Sequence, residues 1–451
     1  MPLPIGSTER RGPSRARCGV PPRTNMRNQI GLSLGLRSFK LDRACNVGVI
    51  LFPVCSLDIS PALNQGNDKM ISVLNYGAVG NGIADDTTAI RNAIAAVGAT
   101  GGMVSFPAGT YKISGTLTIS SANVTLVGEG IGATRIVSTS TTGDLIKFFA
   151  TPSFTGGGVK DMTLDFSGTA TAGAAIRIDG QRLISLENLW ILRPFQGVVL
   201  EGDNRTCRLR NVDISDHLGN AFTVNGGGNQ YFDNCTTYNN VAGGGTAAFL
   251  VTQAEGVWLD KCVSQRASYG LRVTPAASQY VLDLWIDACD FDSSISDGVV
   301  FDSGASGRIT TVNWNGSRIG FGNARGLVID GSHTQNLQFS NLRSEKNLGH
   351  GMVIGNVLGA QFANASFLGN AALGAANTFG ANIIGGTGVV FTGGRSGAYS
   401  DDGNNQKYGI VFGATFTGDA LVCGTDLRGN QTAGAFNGSG PGVLFRDCLG
   451  F

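Results

Sequence analysis

Three short segments of the chain repeat the same order of residue types at one spacing. They read YFDNC at Tyr231–Cys235, WLDKC at Trp258–Cys262 and WIDAC at Trp285–Cys289, and each starts 27 residues after the one before. A repeat of about 20–50 residues that contains no helical pattern indicates a solenoid of stacked β-coils. Because side chains alternate across a strand, we expect the apolar second residue of each segment inside the coil and the first and third residues outside.

Two further columns extend this repeat through the chain. Strands that open with glycine recur at steps of 28, 28 and 25 residues, at Gly270, Gly298, Gly326 and Gly351. Asparagines recur at the fourth position of the motif, and we expect them to stack at a corner of the coil; they are Asn188, Asn211, Asn234, Asn341 and Asn364. Lys261 and Ala288 take that place in their coils, and either Asn313 or Asn315 is a candidate for it between 288 and 341.

These columns predict an all-β fold, a single-stranded right-handed parallel β-helix of about 12 coils with a short N-terminal capping helix. The composition agrees, because Gly contributes 68 of 451 residues and accepts the positive φ of tight turns at little cost. Cys235, Cys262 and Cys289 share one column, so we interpret them as small buried core residues. No Cys or His pair has the spacing of a zinc site.

Charge is distributed unevenly along the chain. The net charge is only +1, which predicts neither a nucleic-acid partner nor an anionic membrane surface. Residues 1–69 hold ten Lys/Arg and four Asp/Glu, and we interpret them as a disordered leader, an upstream segment from a misplaced start, or a stretch with a signal peptide. The apolar run Val47–Leu57 is too short to span a bilayer. Residues 70–122 are predicted to form the cap and 123–451 the β-helix body.

The stretch that precedes the repeat has a pattern of its own. NYGAVGNGIADDTTAIRNAI at Asn75–Ile94 places a glycine-rich turn before a helix capped by Asp85 or Asp86, and GGMVSFPAGTYKI at Gly101–Ile113 adds two short strands. No phosphate-binding motif accompanies the glycines, so the turn is interpreted as structural. This stretch resembles the first segment of pectate-lyase-like β-helix proteins, the group that includes rhamnogalacturonases, epimerases and phage tailspikes. The resemblance implies the fold and a carbohydrate-related role, and it assigns no catalytic residue.

The outward positions of the three repeated segments form two columns that folding does not require. The aromatic column consists of Tyr231, Trp258 and Trp285. The carboxylate column consists of Asp233, Asp260 and Asp287. Carboxylates stacked about 5 Å apart repel one another unless a cation lies among them, and aligned exposed indoles form an apolar patch. Sugars suit both columns, because their C–H faces pack on aromatic rings while carboxylates bind their hydroxyls.

We therefore predict that the aromatic column binds substrate and that the carboxylate column is catalytic. Paired carboxylates act as acid and nucleophile when about 5–5.5 Å apart, or as acid and base at about 6.5–9.5 Å. Binding without catalysis, and a purely structural role, are the alternatives.

Further candidates lie close to these columns in sequence. Asp290 and Asp292 point outward on the next short segment and are predicted to bind substrate, as is Arg266. Asp283, Asp287 and Asp290 are candidate Ca²⁺ ligands if the chain is a lyase, and Lys261 and Arg266 are then candidate proton acceptors. No cofactor is otherwise required.

Histidines are rare in this chain, with only three in the sequence. Asp216 and His217 are candidates for an acid/base pair, although a hydrogen-bonded loop pair is the alternative. His350, between two glycines, is interpreted as a turn residue.

The sequence thus predicts a polysaccharide-active enzyme, either a glycosidase or a lyase that acts on an acidic polysaccharide. The alternative is a non-catalytic carbohydrate-binding adhesin or a protein of the phage-tailspike type. The expected partner is a polysaccharide, with a homotrimer as a possible assembly. The expected location is outside the cell or on a virion.

Overall fold

Short parallel strands, typically three to a coil, make up most of the chain. The computed structural model describes residues 70–241, 245–371, 377–399, 406–440 and 442–451, so the predicted leader at 1–69 lies outside the described residues. We divide the strands into three sheets. Sheet 1 carries the two outward columns, sheet 2 follows the asparagine corner, and sheet 3 consists mainly of the strands that open with glycine.

Most strands belong to one sheet. Sheet 1 contains Met70–Ser72, Gly102–Phe106, Val124–Gly128, Gln230–Asp233, Tyr280–Asp287, Arg308–Asn315, Thr334–Ser340, Leu358–Ala363, Thr387–Thr392, Ala420–Cys423 and Val443–Arg446. Sheet 2 contains Asn81–Asp85, Gly109–Ile113, Thr134–Ser138, Thr236–Tyr238, Val263–Gln265, Asp290–Asp292, Arg318–Gly320, Arg343–Glu345, Ser366–Leu368 and Arg395–Gly397. Sheet 3 contains Leu117–Ile119, Ile146–Phe149, Ala174–Asp179, Gln196–Glu201, Phe222–Asn225, Tyr269–Val273, Val299–Asp302, Leu327–Asp330, Met352–Ile354, Phe379–Ile383, Tyr408–Phe412 and Ala433–Asn437.

Four longer strands pass through a corner and join two sheets. Gly157–Phe166, Ser185–Leu192 and Arg208–Ser215 run from sheet 1 into sheet 2, and Ala247–Asp260 runs from sheet 3 into sheet 1. The paired strands are parallel and lie one coil apart, as in the pairing of Tyr280–Asp287 with Arg308–Asn315. The coils stack into a parallel β-solenoid of about 13 turns. The predicted β-helix is confirmed, with about one coil more than expected.

The N-terminal cap is a helix over Thr87–Val97. As predicted, Ile90, Ala93, Ile94 and Val97 face the core, at the 3.6-residue period of an amphipathic helix. Two short 3₁₀ helices accompany it, at Val73–Tyr76 and Gly98–Thr100.

Two neighbouring aspartates organise the turn before this helix. Asp86 precedes the helix, but its carboxylate accepts hydrogen bonds from the Val79 and Gly80 amides, at 2.7 and 3.1 Å. Asp85 instead accepts the Thr87 amide at 3.0 Å. The glycine-rich turn therefore binds a side chain of its own chain, which agrees with the structural interpretation of its sequence.

The asparagine corner lies between sheets 1 and 2, where one residue per coil adopts a left-handed backbone. Asn188, Asn211 and Asn234 have φ near 50°, a conformation that asparagine tolerates better than most residues. The Nδ2 of Asn234 donates to Oδ1 of Asn211, and that of Asn211 to Asn188, both at 2.9 Å. The predicted asparagine stack is thus confirmed here, and it ends on Asp161, which accepts from Asn188 at 2.8 Å.

One part of the predicted corner is wrong. Neither Asn313 nor Asn315 continues the column, because Asn315 pairs with Asp287 one position before the corner. The corner residue of that coil is Gly316, with φ of 60°. Glycine has no Cβ and adopts this conformation without steric strain. This coil therefore has glycine at its corner in place of asparagine.

The cysteine column lies in the interior, as predicted. Cys235, Cys262 and Cys289 are at most 3% exposed, and each thiol donates to backbone carbonyl oxygens such as Leu209 O and Phe232 O. Burial is the largest cause that raises the pKa of Cys262. The column therefore fills the core as neutral thiols.

Candidate functional site

The two outward columns meet on sheet 1 in the predicted register. Tyr231 pairs with Trp258, and Trp258 with Trp285. Asp233, Asp260 and Asp287 pair in the same order. We call these six residues the aromatic–carboxylate stripe. Between the two columns, one apolar side chain per coil points inward and is at most 2% exposed; these are Phe232, Leu259 and Ile286. Because side chains alternate along a strand, the same three strands place the stripe outside and core residues beneath it.

The aromatic column provides a flat platform and a separate exposed ring. The rings of Tyr231 and Trp258 stack with centroids 4.8 Å apart and planes 20° apart. The Trp258 indole lies over Gly256, where an added Cβ would come within 2.7 Å of the ring. Trp285 is 44% exposed. Stacked and half-exposed rings of this kind suit the apolar face of a sugar.

Cations and an amide lie among the three carboxylates. Arg210 Nε donates to Asp233 Oδ2 at 3.1 Å, Lys261 Nζ pairs with Asp260, and Asn315 Nδ2 donates to Asp287 Oδ1 at 2.9 Å. The hydrogen bond to Asp260 is the main cause that raises the pKa of Lys261, and the charges of Asp233 and Asp287 add to it. Arg210 and Lys261 are therefore the cations that the stacked carboxylates require, and Lys261 stands at the corner position that other coils give to asparagine.

Depressions follow sheet 1 along both columns. One lies around Tyr231, Trp258 and the two carboxylates beside them. A second lies beyond it, around Trp285 and Asp287. The third lies before them, around Lys160 and Glu187. Together they make a shallow groove whose middle section is the stripe.

Sequence reasoning missed the two ends of this groove. Lys160, Glu187 and Arg210 occupy the carboxylate column in earlier coils, and Arg208 occupies the aromatic column. Arg208 lies 5.3 Å from the Tyr231 ring centroid. In later coils the columns continue as Asn313, Asn315, Gln338 and Ser340. Counting one and three residues back from the asparagine corners finds Glu187, Arg208, Arg210, Gln338 and Ser340. Lys160, Asn313 and Asn315 precede corners that carry Asp161 and Gly316 instead, and no asparagine marks them in the sequence.

Other predicted site residues lie apart from the stripe. Asp290 and Asp292 are on sheet 2, and both pair with Arg318, whose Nε and Nη2 reach Asp290 at 2.9 Å. Arg266 lies at the end of sheet 2, where its Nη1 is 3.5 Å from the Tyr238 hydroxyl. Asp283 stays exposed on the Tyr280–Asp287 strand.

The described residues include no group of three His, Cys, Asp or Glu side chains that could hold a metal ion. The structure therefore does not bring Asp283, Asp287 and Asp290 together as a ligand set.

The two histidines weighed from the sequence occupy structural positions. His217 is fully buried, and its Nδ1 lies 2.8 Å from the Gly219 carbonyl rather than on Asp216. Burial is the largest cause that lowers its pKa. The His350 Nδ1 accepts the Phe379 amide at 3.0 Å, as expected for a turn residue.

The coil stack, the left-handed corner and the capping helix define a parallel β-helix with an N-terminal cap. Within this chain, residues 70–272 match the family model "Rhamnogalacturonase A/epimerase, pectate lyase-like". No helix in the described ranges is long and apolar enough to cross a bilayer.

Curated relatives are similar over part of the chain. Mannuronan C5-epimerase AlgE5 of Azotobacter vinelandii is 29% identical over 262 residues, which is 52% of this chain and 24% of that protein. Plasmin and fibronectin-binding protein A of Streptococcus pneumoniae is 31% identical over 176 residues, 37% of this chain and 24% of that protein. The chain thus matches about a quarter or less of the first relatives' length.

Solved structures share the fold over most of the chain. The A-module of Azotobacter vinelandii mannuronan C-5 epimerase AlgE6 superposes with a TM-score of 0.60 at 18% identity, covering 84% of this chain and 98% of that one. A tailspike protein of E. coli bacteriophage HK620, solved in complex with a pentasaccharide, gives a TM-score of 0.61 at 12% identity, covering 83% and 80%. At such identities the likeness supports the fold.

Proposed function

We propose that the chain is a polysaccharide-active enzyme whose substrate lies along the groove of sheet 1 and contacts the aromatic–carboxylate stripe. The observation that carries the proposal is the register of the stripe, in which aromatic and carboxylate side chains repeat on three successive coils with Lys261 among them. The names of the similar proteins support it, since they include mannuronan epimerases and a tailspike bound to a pentasaccharide.

The chemistry we favour is cleavage of a glycosidic bond by two carboxylates from neighbouring coils. Coils about 4.8 Å apart place such carboxylates near the roughly 5–5.5 Å separation of retaining glycosidases. In that arrangement one of Asp260 and Asp287 protonates the leaving oxygen, while the other attacks the anomeric carbon. Water then releases the sugar as the first residue takes back a proton.

Lys261 fits this chemistry better than it fits an elimination. A proton acceptor should have a pKa near the working pH, whereas the pKa of Lys261 is raised by its hydrogen bond to Asp260 and by the charges of the other carboxylates. Lys261 therefore stays protonated and neutralises the stripe. Arg266, the other basic group considered, lies on sheet 2 against Tyr238.

Product analysis tests the proposal. The protein would be incubated with polygalacturonate, polymannuronate and a neutral glucan, followed by assays of new reducing ends, of unsaturated uronate by ultraviolet absorbance, and of uronate stereochemistry by NMR. Reducing ends alone support the hydrolase. Unsaturated ends would show that the protein is a lyase instead. Changed stereochemistry without cleavage would show that it is an epimerase. The double variant Asp260→Asn/Asp287→Asn should abolish turnover, while Asp283→Asn, an exposed control on the same strand, should not.

The second candidate function is carbohydrate binding without turnover. The stacked Tyr231 and Trp258 rings favour it, because a sugar platform serves an adhesin or a tailspike equally well. Tight binding in the same panel, with no change in any substrate, would select this function.

Three further features belong to this proposal. We expect secretion or attachment to a virion. We also expect assembly as a homotrimer, and light scattering after gel filtration would test that assembly.

Calcium would be required if the reaction proved to be an elimination, and loss of activity with a chelator would show this requirement.

A further inference from the structure

Two exposed aromatic side chains lie on sheet 2, beyond the asparagine corner and apart from the stripe. Trp190 is 40% exposed and Tyr238 is 41% exposed. Trp190 lies on the strand Ser185–Leu192, beside Ser215 of the next coil, whose hydroxyl is 3.4 Å from the indole Nε1. Tyr238 pairs with that same Ser215 from the other side. The two rings therefore stand on one face, with a single coil between them.

A depression of about 560 Å³ adjoins this face, a size within the roughly 300–1,000 Å³ typical of ligand pockets. We call it the corner groove. Its lining consists of the apolar residues Leu218 and Val241 together with Ser167, Gly168, Thr169, Arg193, Asp216 and Asn240. A partly apolar lining with a few convergent polar groups is the usual composition of a small-ligand site.

The polar groups of the groove come from successive coils. The Arg193 amide donates to the Ser215 carbonyl in the next coil, and the Asp216 amide donates to the Tyr238 carbonyl in the coil after that. Asp216 Oδ1 accepts the Asn240 amide at 2.9 Å. Within the described ranges, Asp216 Oδ2 has no donor, so this oxygen is available to a ligand hydroxyl. Arg266, in the following coil, reaches Asn240 Oδ1 at 3.4 Å.

Positive charge lies in the groove at Arg193 and beside it at Arg266, which contacts the lining residue Asn240. Arg193 pairs with Asp165, which is fully buried and also pairs with Arg135, so two guanidinium groups share one carboxylate. Arg266 contacts only neutral groups, the Tyr238 hydroxyl and the Asn240 amide, and its guanidinium lies 6.0 Å from the Tyr238 ring centroid. Among the described residues, no carboxylate lies within ion-pair distance of Arg266. A ligand that fits this pattern carries a negative group as well as hydroxyls.

We infer that the corner groove is a second saccharide site, which binds a uronate unit independently of the stripe. Tyr238 and Trp190 provide ring platforms, Arg266 pairs with the sugar carboxylate, and Asp216 accepts sugar hydroxyls. Arginine suits the carboxylate because its planar fork matches carboxylate geometry. The inference rests on the proposed function for its choice of ligand, since the uronate is taken to be part of the same class of polysaccharide.

Calorimetric titration with a trigalacturonate probe tests the inference, with maltotriose as the neutral comparison. The wild-type chain should bind two trigalacturonates. Arg266→Gln and Tyr238→Ala should each remove one of these sites or weaken it about tenfold or more, as loss of a charged hydrogen bond predicts. Trp285→Ala should affect the other site only. Arg266 is exposed and without an ion pair among the described residues, so its variant is expected to fold, which circular dichroism would verify.

The outcomes separate the two proposals. If the wild type binds one trigalacturonate and only Trp285→Ala removes it, the corner-groove inference is overturned while the proposed function stands. If only Arg266→Gln and Tyr238→Ala remove it, the inference stands and the stripe is not the sugar site. Equal loss with maltotriose would overturn the assignment of a carboxylate-bearing sugar. A wild type that binds neither sugar would overturn the corner-groove inference, while the proposed function would still be decided by the polymannuronate and glucan arms of the product analysis.

Discussion

The coils of the stripe and the two coils that follow share one backbone path and one core, yet they present different chemistry to solvent. Trp285 and Asp287 are followed in the same columns by Asn313 and Asn315, and then by Gln338 and Ser340. Inside, large aromatic residues continue without a break. Amides therefore occupy the same outward columns in later coils of the same fold, which supports the proposal that the rings and carboxylates of the stripe contact a substrate.

The largest expected effect concerns what the two regions share. Phe232 beneath the stripe and Phe339 beneath the amide coils are both at most 2% exposed, and each packs against other rings. Phe232→Ala and Phe339→Ala should each lower the free energy of unfolding by about 3–5 kcal/mol, because both leave a cavity. Urea denaturation checks this. A clearly smaller loss for Phe232→Ala would mean that the stripe coils are held by more than their core.

The next effect concerns the carboxylates, which the amide coils lack. Asp260→Asn gives the stripe the amide that Asn315 provides two coils further along the same column. It should reduce turnover about a hundredfold or more, because it removes a proton-transfer group. Steady-state rates on the polysaccharide that the product analysis selects provide the measurement. Asp283→Asn is the matched control. If the wild type and Asp260→Asn turn over at comparable rates, the Asp260 carboxylate is not catalytic.

A smaller effect is expected from the aromatic column. Trp285→Asn copies Asn313 of the following coil and should weaken polysaccharide binding about tenfold, roughly 1.4 kcal/mol, because a half-exposed ring platform is lost. Affinity electrophoresis in gels that contain the polysaccharide would show it. Phe149→Ala removes an equally exposed ring (43%) on sheet 3 and should leave mobility unchanged. The reverse change, Asn313→Trp, should strengthen polysaccharide binding because it extends the platform by one coil. If the affinity does not increase, the aromatic ring contributes to binding only at its present coil.

The smallest effect is a pH dependence confined to the stripe. The raised pKa of Lys261 means that folding favours its protonated form. Its attraction to the carboxylates therefore stabilises the fold fully below the ordinary lysine value of 10.5, and is lost as the pH rises through the raised pKa. The wild type should melt slightly above Lys261→Gln at neutral pH, and the two should converge in strong alkali. Lys407→Gln, away from the stripe, should show no such convergence with the wild type.

Most of the fold and the whole stripe follow from the sequence, because a constant step of 27 residues fixes which side chains align. The interpretation failed where that step changed. The corner at Gly316 follows the previous corner after 28 residues and carries no asparagine. Asn313 and Asn315 were therefore both candidates for the corner position, and neither occupies it.

Arg266 was misplaced in sequence reasoning for a different physical reason. The left-handed corner at Lys261 already turns the chain from sheet 1 onto the sheet 2 strand Val263–Gln265. Arg266 follows that strand and therefore lies on a different face from the one that its nearness to Asp260 suggested. The strands of sheet 2 are often only three residues long, as at Val263–Gln265. In the aligned coils Trp190 shares a column with Asp290, and Tyr238 shares one with Asp292. The outward face predicted from the sequence covers only the two aspartates, because the repeated segments align sheet 1 and not sheet 2.

The left-handed corner has a consequence for how such a chain can be altered. From Asn188 to Asn364 the corner recurs after 23, 23, 27, 27, 28, 25 and 23 residues. The variation in coil length is therefore absorbed in the rest of each coil, while the outward columns keep their alignment. A protein engineer could lengthen or exchange those connecting loops, or graft a new recognition segment into them, and still preserve the spacing of the side chains on sheet 1. The corner is a fixed reference point around which new specificities can be assembled.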